Sequence, residues 1–313
     1  MLQRAAIIDL GTNTFHQIIV EWEGRHFKIL DKLQIPVKLG SKTFISGFIQ
    51  QEAYERGLKA ACDFREIIEA FQVENIQIYG TATLRIASNA HEFQHDFEDI
   101  LKAPIHIIDG ENEAALIYNG VRHAVPLGEE ATLIMDIGGG SVEFIIADEN
   151  EMFWRKSFAI GVSRLNQLFP HTEPIENDLR EAIEKFLDDE LEPLWEQADK
   201  YNVSLLVGAS GTFESISDID MELFHSQKQT FPFVHHLMDL SHYREIRDKL
   251  LNANRAELAT MPGLIAFRVE MIAIGIIMID YIMKRQHLKR LIVSDYALKE
   301  GIMFKLMEEV KAV

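Results

Sequence analysis

The feature that most constrains the fold of this chain is an internal repeat. The segment Asp9-Leu10-Gly11-Thr12-Asn13-Thr14 can be placed over Asp136-Ile137-Gly138-Gly139-Gly140-Ser141. At the same offset, Ile18-Ile19 aligns with Ile145-Ile146, so each copy reads as a strand, a turn and a second strand. A match that continues into the following strand indicates two similar domains, each beginning with a β-hairpin.

The order of the predicted elements is that of an α/β fold in both halves. Strand patterns over 5–39 precede an amphipathic helix over 50–72, and strands and helices then alternate. The segment "VPLGEE" supplies Pro, Gly and acidic residues and indicates a boundary near Val125, after which the strand pattern restarts. The predicted domains are residues 1–125, with a C-terminal helix at about 298–313 packing back on them, and residues 126–297.

Two later segments are predicted to be helical. A single long helical tract is expected from about Glu176 to Tyr201. The most apolar segment, 263–285, is interrupted by Arg268, Glu270 and Asp280. Charges at these positions favour a buried helix over a membrane span.

Charge and cysteine content exclude several classes of protein. Lys+Arg 31 against Asp+Glu 49 gives a net charge of −18, so the average surface repels nucleic acid and anionic membranes, and neither is expected as a partner. A single cysteine, Cys62, excludes an internal disulfide and is interpreted as a packed small side chain. No Cys/His spacing resembles a zinc site, and His235 and His236 are predicted to be surface residues without carboxylate partners. Without a signal-peptide core at the N-terminus, a cytoplasmic location is expected.

The repeated turn has the chemistry of an anion site. Glycine and hydroxyl residues at a hairpin tip let several backbone N–H groups point toward one position, and the hydroxyls of Thr12, Thr14 and Ser141 can add to them. The carboxylates of Asp9 and Asp136 would repel a phosphate unless Mg²⁺ lay between them. A tight hairpin capped by Asp explains either copy alone. Two copies with paired Asp residues favour a phosphate-binding cleft between the domains.

Two further turns have a related pattern. Gly208, Ser210 and Gly211 lie between an apolar strand and a helix, where amides at the helix N-terminus can face a bound group. Ser294 and Asp295 repeat the arrangement, but ordinary helix capping explains them equally well.

Carboxylates that follow turns are candidates for orienting water in a phosphoryl transfer. Here they are Glu111, Glu113 and Glu143, although a Glu in the first helical turn is also explained by the helix dipole. Arg85 follows a strand in a Thr-rich loop, where it could neutralise a phosphate or simply be solvated.

Together these residues resemble the exopolyphosphatase and guanosine pentaphosphate phosphohydrolase family, part of the larger actin, Hsp70 and sugar-kinase fold group. Six segments carry the resemblance in the expected order: "DLGTNTFH", "GTATLRIASN", "DGENEAALIYNGV", "DIGGGSVEF", "GASGT" and "SDYALKEG". The resemblance implies an α/β fold of two duplicated actin-like (ribonuclease H-like) domains with an inter-domain cleft. It also implies a hydrolase that uses magnesium to release terminal orthophosphate from inorganic polyphosphate, from guanosine pentaphosphate (pppGpp), or from both.

The resemblance assigns roles to individual residues. Substrate phosphates would bind to the two turns, namely Gly11, Thr12, Asn13 and Thr14 with Gly138, Gly139, Gly140 and Ser141. Asp136 would hold Mg²⁺ or Mn²⁺ with Asp9 assisting, and Arg85 would contact phosphate. Glu113 would activate water and Glu143 would help to position it. A homodimer is expected, as in relatives of this type.

The chain departs from the family pattern at three positions. Asn112 replaces the first Glu of a Glu-Glu pair, Ala115 replaces the usual Arg, and Val142 stands where Thr is common. These departures leave open a non-catalytic sensor that binds polyphosphate or an alarmone. Longer relatives also carry a C-terminal helical region that this sequence lacks, which weakens the expectation of processivity. An actin-like ATPase or a sugar kinase is a third hypothesis, and the preference between polyphosphate and pppGpp stays open.

Overall fold

The computed structural model describes residues 2–225 and 234–309. The chain forms two compact units, Met1–Gly120 with Leu298–Val313 and Val121–Ala297. The domain limits drawn from the sequence stay a prediction, and the last residues of the expected C-terminal helix, 310–313, lie outside the described residues.

The first unit is built on a mixed sheet. Its strands are β1 (Gln3–Leu10), β2 (Phe15–Glu23), β3 (His26–Ile35), β4 (Ile76–Gly80) and β5 (Ile105–Ile107). They lie in the order β3-β2-β1-β4-β5, with β1 antiparallel to β2 and parallel to β4. The helices between them are α1 (Thr43–Ser46), α2 (Gln51–Ala70), α3 (Ala82–Ile86), α4 (Ala90–Leu101) and α5 (Gly110–Ala124).

The core of this unit lies between the sheet and helices α2 and α4. Fully buried rings meet there, with Phe15 and Phe97 edge to face at 6.0 Å between centroids. A Cβ on Gly57 of α2 would lie 2.6 Å from the ring of Phe93 on α4, so glycine permits the close approach of these helices. Burying four phenylalanines in one cluster stabilises the unit, at about 25 cal/mol per Å² of apolar surface removed from water.

The second unit repeats this architecture. Its strands are β6 (Thr132–Ile137), β7 (Val142–Ala147), β8 (Met152–Phe158), β9 (Leu205–Ala209), β10 (His235–Leu237) and β11 (Leu291–Ser294). Its helices are α6 (Val162–Leu168), α7 (Asn177–Glu190), α8 (Glu192–Tyr201), α9 (Gly211–Phe224), α10 (Leu240–Asn252), α11 (Arg255–Ala259) and α12 (Val269–Arg285), preceded by a 3-10 turn at Ala266–Arg268. The strand order is β10-β11-β9-β6-β7-β8. Taken from the other edge, β8-β7-β6-β9-β11 corresponds to β3-β2-β1-β4-β5 of the first sheet, and β10 is an additional strand beside β11.

The two β-hairpins correspond residue by residue. Asp9 pairs with His16 across β1 and β2, and Asp136 pairs with Glu143 across β6 and β7, each one position from the turn. The predicted α/β fold of two similar domains is therefore present, with each sheet flanked by helices.

The last helix, α13 (Leu298–Glu309), packs within the first unit. Asn119 of α5 donates its side-chain amide to the carbonyl of Gly301 at 3.0 Å, and Phe304 meets Phe27 of β3 at 5.4 Å between ring centroids. A Cβ on Gly301 would lie 1.8 Å from the carbonyl oxygen of Leu116, so this helix pair depends on the missing side chain.

Helix α12 confirms the buried helix predicted from the apolar segment, because most of its residues are buried. Within the described residues, no helix is both long and apolar enough to cross a membrane.

Three local predictions are wrong. The long helical tract breaks at Leu191, since Pro193 has no N–H to continue α7 and instead lies in the first turn of α8. Arg85 lies in the short helix α3 and not in a loop. Cys62 is exposed, because its position on α2 faces away from the sheet.

Candidate functional site

In the first unit, the predicted site residues gather at one edge of the sheet. Leu10 pairs with Gly80 at the ends of β1 and β4, and Gly80 pairs with Ile107 at the end of β5. Because these three strands are parallel, the segments that follow them leave from the same edge. Those segments are the turn 11–14, helix α3 and the start of α5.

The turn 11–14 is fixed by hydrogen bonds to its carbonyls. Gly40 donates its N–H to the carbonyl of Thr12 at 2.9 Å, and Lys38 donates to the carbonyl of Asn13 at 2.7 Å. In a planar trans peptide, the N–H points opposite to the C=O. The N–H groups of Asn13 and Thr14 therefore point away from the segment 38–40, as an anion-binding turn requires.

Side chains also anchor this turn. The buried hydroxyl of Thr12 shares a 2.9 Å hydrogen bond with that of Thr83 in α3. A Cβ on Gly11 would lie 2.7 Å from the carbonyl oxygen of Thr14, so the tight turn excludes a side chain there. The turn is thus held against the helix that carries Arg85.

Arg85 and Glu113 form a largely buried ion pair. Nη1 of Arg85 lies 2.6 Å from Oε2 of Glu113 and also donates to the carbonyl of Ile108 at 2.9 Å. Burial raises the pKa of Glu113, and the charge of Asp109 adds to the rise, whereas Arg85 opposes it by attraction and by its hydrogen bond. A buried carboxylate with a raised pKa beside a guanidinium has the properties of a general base at a phosphate site.

Helix capping accounts for one departure from the family pattern. Asn112 donates its backbone N–H to Oδ1 of Asp109 and its side-chain amide to Oδ2, both at 2.8 Å. The hydrogen bond from the Asn112 backbone lowers the pKa of Asp109. Asp109 therefore caps the N-terminus of α5 and Asn112 donates both hydrogen bonds to it, while the side chain of Glu113 is paired with Arg85. Glu111 is exposed, so the structure favours Glu113 as the buried carboxylate of this turn.

In the second unit, the turn 138–141 is held in the same way as the first. Gly138 donates to the carbonyl of Ser141 at 3.1 Å and closes the hairpin. The carbonyls of Gly138 and Gly139 accept from the N–H groups of Val162 and Ser163 at the start of α6, at 3.0 and 2.8 Å. By the same peptide geometry, the N–H groups of Gly139 and Gly140 point away from α6.

The approach of α6 to this turn requires glycine at position 161. A Cβ there would lie 2.4 Å from the carbonyl carbon of Gly139, which is backbone and cannot rotate away. Val142, the departure after the turn, is fully buried in the apolar core, where it packs as part of β7.

Two buried carboxylates lie opposite each other on β6 and β7. Asp136 and Glu143 are 5% and 1% exposed, and directly paired residues share one face of a sheet with Cβ atoms about 5 Å apart. Ser210 donates its hydroxyl to Oδ2 of Asp136 at 2.8 Å, and Ser157 donates to Oε1 of Glu143 at 2.6 Å. Two such charges repel unless a cation offsets them. This set of oxygen donors fits Mg²⁺, which prefers carboxylates and water.

Ser210 has a strained backbone. Its φ of 69° and ψ of −173° fall in a region that is essentially confined to glycine and costs about 1–3 kcal/mol. It precedes the first residue of α9 and directs its hydroxyl to Asp136. Strain of this kind persists where surrounding structure fixes the residue, often at a functional site.

The two glycines near Ser210 have packing explanations. A Cβ on Gly208 would lie 2.0 Å from the ring of Phe213, so the strand requires glycine even without a ligand. A Cβ on Gly211 would lie 3.3 Å from Nε of Arg268. Their binding of phosphate stays a prediction.

The structure adds a cation that sequence reasoning missed. Arg268 is the last residue of the 3-10 turn before α12, and its side chain is buried against the start of α9. There it donates to the hydroxyl of Ser215 at 3.1 Å and pairs with Glu214. In the sequence it was only a charge interrupting an apolar segment, so no pattern connected it to Gly211.

The prediction for His235 and His236 is wrong. Both are partly buried, and Nε2 of His236 lies 2.8 Å from Oδ2 of Asp220, while Nδ1 of His235 lies 2.6 Å from the carbonyl oxygen of Ala124. The carboxylate partner is on a different element, which sequence spacing could not show.

Each unit thus brings together its own set of predicted residues. The first unit gathers the turn 11–14, Arg85 and Glu113, with a partly buried Asp9 at the end of β1. The second unit gathers the turn 138–141, Asp136, Glu143 and Ser210.

Comparison with known proteins identifies a family for this chain. The model of the Ppx/GppA phosphatase family matches residues 18–310. A Haemophilus influenzae protein named "Putative exopolyphosphatase" is 29% identical over 97% of this chain and 92% of its own length. The crystal structure of an exopolyphosphatase from Cytophaga hutchinsonii is 32% identical, with a TM-score of 0.95 over 98% of both chains. The Aquifex aeolicus member of the Ppx/GppA family, at 23% identity and a TM-score of 0.80 over 100% of this chain and 99% of its own, shares the fold.

Proposed function

The chain belongs to the Ppx/GppA phosphatase family, and we propose that it uses magnesium to release terminal orthophosphate from inorganic polyphosphate, from pppGpp, or from both. The names of the relatives from Haemophilus influenzae and Cytophaga hutchinsonii support polyphosphate as a substrate. Activity on pppGpp, an alarmone of the stringent response, rests on the family resemblance.

The observation that carries the proposal is the Arg85–Glu113 pair beside an anion-binding turn. A raised pKa keeps Glu113 a better proton acceptor than an exposed carboxylate, because the proton is bound more tightly. Arg85 presents a guanidinium that suits phosphate oxygens. A base and a cation at the same edge as the turn 11–14 are what hydrolysis of a phosphoanhydride needs.

The reaction is a transfer of the terminal phosphoryl group to water. The water oxygen forms a bond to the terminal phosphorus as the bridging P–O bond breaks, and the electron pair leaves with the shortened phosphate chain. Glu113 accepts a proton from the attacking water. The amides of Asn13 and Thr14 and the guanidinium of Arg85 stabilise the charge on the transferring group.

The second unit is proposed to hold the metal ion. Asp136, kept in place by Ser210, would bind Mg²⁺ or Mn²⁺, and Glu143, kept in place by Ser157, would orient water near the ion. When bound, the ion would offset the negative charge of phosphate oxygens. The backbone N–H groups of Gly139 and Gly140 offer a second set of hydrogen-bond donors to phosphate oxygens. Asp9 occupies the equivalent position in the first hairpin, and its assistance to the metal is carried over from the family resemblance.

A substrate panel tests the proposal. The full chain is incubated with long polyphosphate, short polyphosphate and pppGpp, with and without Mg²⁺, and released orthophosphate is measured colorimetrically. We expect release from at least one substrate that stops when EDTA removes the metal and resumes with Mg²⁺. Absence of release from every substrate would refute hydrolysis. Retained binding of polyphosphate or pppGpp would then favour the non-catalytic sensor.

Two further parts of the proposal are a homodimer, which rests on the family resemblance, and a cytoplasmic location, which rests on the expectation drawn from the sequence. Light scattering after size exclusion checks the first, with a mass twice that of the 35.9 kDa chain expected. Fractionation of cells followed by immunodetection checks the second.

A further inference from the structure

Away from these turns, the second unit contains a cluster of three imidazoles around one buried carboxylate. Asp220 of α9 is 1% exposed, and Nε2 of His225 and Nε2 of His236 lie 3.0 and 2.8 Å from its Oδ2. Nδ1 of His242 lies 2.8 Å from its Oδ1. These residues come from the end of α9, from β10 and from α10, so the cluster joins three elements.

Three of the four side chains converge at metal-binding distance. The ligand atoms of Asp220, His225 and His242 all lie within 4.8 Å of one another. Around a tetrahedral ion with bonds of about 2.0–2.2 Å, neighbouring ligand atoms lie about 3.3 Å apart. The contacts of Asp220 with His225 and His242, at 3.0 and 2.8 Å, would widen by a few tenths of an ångström, and the two imidazole nitrogens, which lie within 4.8 Å of each other, would adjust to the same spacing.

The rings are held in these orientations by packing. The ring of His242 stacks on Phe224, with centroids 4.0 Å apart and planes at 9°. The ring of His225 stands nearly perpendicular to that of His242, at 80°. His236 contacts the carboxylate oxygen that also faces His225, and so orients Asp220 as outer hydrogen-bond partners do in metal sites.

The donor set selects a class of ion. Two imidazole nitrogens and one carboxylate oxygen suit zinc and neighbouring first-row transition metals, whereas Mg²⁺ and Ca²⁺ prefer oxygen alone. The buried charge of Asp220 also favours a bound cation, because a divalent ion would compensate a carboxylate that is almost completely removed from water. Three protein ligands would leave a fourth position for water.

We propose that Asp220, His225 and His242 form a binding site for a divalent transition-metal ion such as zinc, with His236 positioning the carboxylate. The ion ties the end of α9 to the start of α10. This site is separate in residues and in metal preference from the magnesium site proposed at Asp136.

Metal analysis of the full chain tests the inference. The protein is expressed without a polyhistidine tag, stripped with EDTA, exposed to excess ZnCl₂ or CoCl₂, and passed through a desalting column. We expect one equivalent of zinc or cobalt per chain by mass spectrometry and a visible Co²⁺ absorption band. Millimolar Mg²⁺ should leave the bound zinc in place. Zinc should also raise the thermal unfolding temperature, because it binds the folded chain.

Variants locate the ion. Loss of an outer partner costs about 10–100-fold in metal affinity, so His236→Gln should fall in that range and His225→Gln or His242→Gln should lose at least about 100-fold. The matched control is His95→Gln, since His95 is 67% exposed and also lies near two carboxylates, at 3.5 and 3.7 Å. It should bind like the wild type.

The decisive result does not depend on the folding of any variant. If the wild-type chain retains no zinc or cobalt after desalting, the inference is overturned and the cluster is a hydrogen-bond network only. The same conclusion follows if folded His225→Gln and His242→Gln bind zinc as tightly as the wild type.

Discussion

Replacing Glu113 by Gln distinguishes a catalytic carboxylate from a structural ion pair. The substitution keeps the shape of the side chain and an oxygen that can accept the 2.6 Å hydrogen bond from Nη1 of Arg85. It removes the negative charge and the ability to accept a proton. The two roles of Glu113 therefore respond differently to one change.

The expected loss of activity is large. Removal of a general base costs about 10²–10⁴-fold in rate, which is about 2.7–5.4 kcal/mol of activation free energy. Substrate binding should change less, because Arg85 and the turn 11–14 remain. We therefore expect kcat to fall while KM stays within a few-fold of the wild type.

In contrast to its activity, the stability of the Glu113→Gln variant is expected to be unchanged or higher at pH 8. The folded-state pKa of Glu113 is raised above its ordinary 4.5, mainly by burial, so the fold disfavours the ionised form. The contribution of the Glu113 carboxyl group to the free energy of unfolding is therefore fully present below pH 4.5. It is lost as the pH rises through the folded-state pKa. Gln resembles the neutral acid and escapes this loss. The Tm of the variant should equal or exceed that of the wild type at pH 8, and the difference should grow from pH 4.5 upward.

The assay measures both quantities on the same samples. Phosphate release gives kcat and KM, and calorimetry from pH 5 to pH 8 gives Tm. Glu111→Gln is the matched control, because Glu111 lies in the same helical turn but is exposed. It should leave kcat and Tm nearly unchanged.

One outcome would refute the reasoning. If Glu113 only stabilised Arg85, the variant would keep its kcat and lose the about 1.5–3 kcal/mol that a hydrogen bond to a charged group contributes. At about 2–4 °C per kcal/mol, the Tm would fall by several degrees.

Substitutions at three further positions test Ser210, the turn 138–141 and Arg85. Ser210→Gly and Ser210→Ala both lose the hydrogen bond to Asp136, but only glycine relieves the strain of the φ of 69°. The glycine variant should therefore be more stable than the alanine variant by about 1 kcal/mol and have the higher Tm, and equal Tm values would contradict the strain. Gly161→Ala would place a Cβ 2.4 Å from the carbonyl carbon of Gly139 and displace the turn, so kcat/KM for phosphate release should fall at least about tenfold. Arg85→Lys keeps the charge but loses the planar fork, and a kcat/KM unchanged within twofold, instead of lowered at least about tenfold, would remove Arg85 from the phosphate site.

The hairpins and the duplicated α/β order could be predicted because their signals are local. Strands near the turns are apolar over several consecutive residues, and glycine with Ser or Thr at fixed offsets is what such a turn needs. The same locality explains the errors. Pro193 broke a helix that the apolar period alone made continuous, and Cys62 faced outward on a helix whose buried side is set by the sheet.

The sequence by itself determined the paired turns, their Asp residues and the family, since these depend on residues that are neighbours along the chain. Only the tertiary structure decided that Glu113 pairs with Arg85 and that Asp220 gathers histidines from separate elements. Such contacts depend on which strands lie side by side and which helix faces meet. Many packings can satisfy the same local pattern, whereas burial of a charge must be compensated in the one packing that forms.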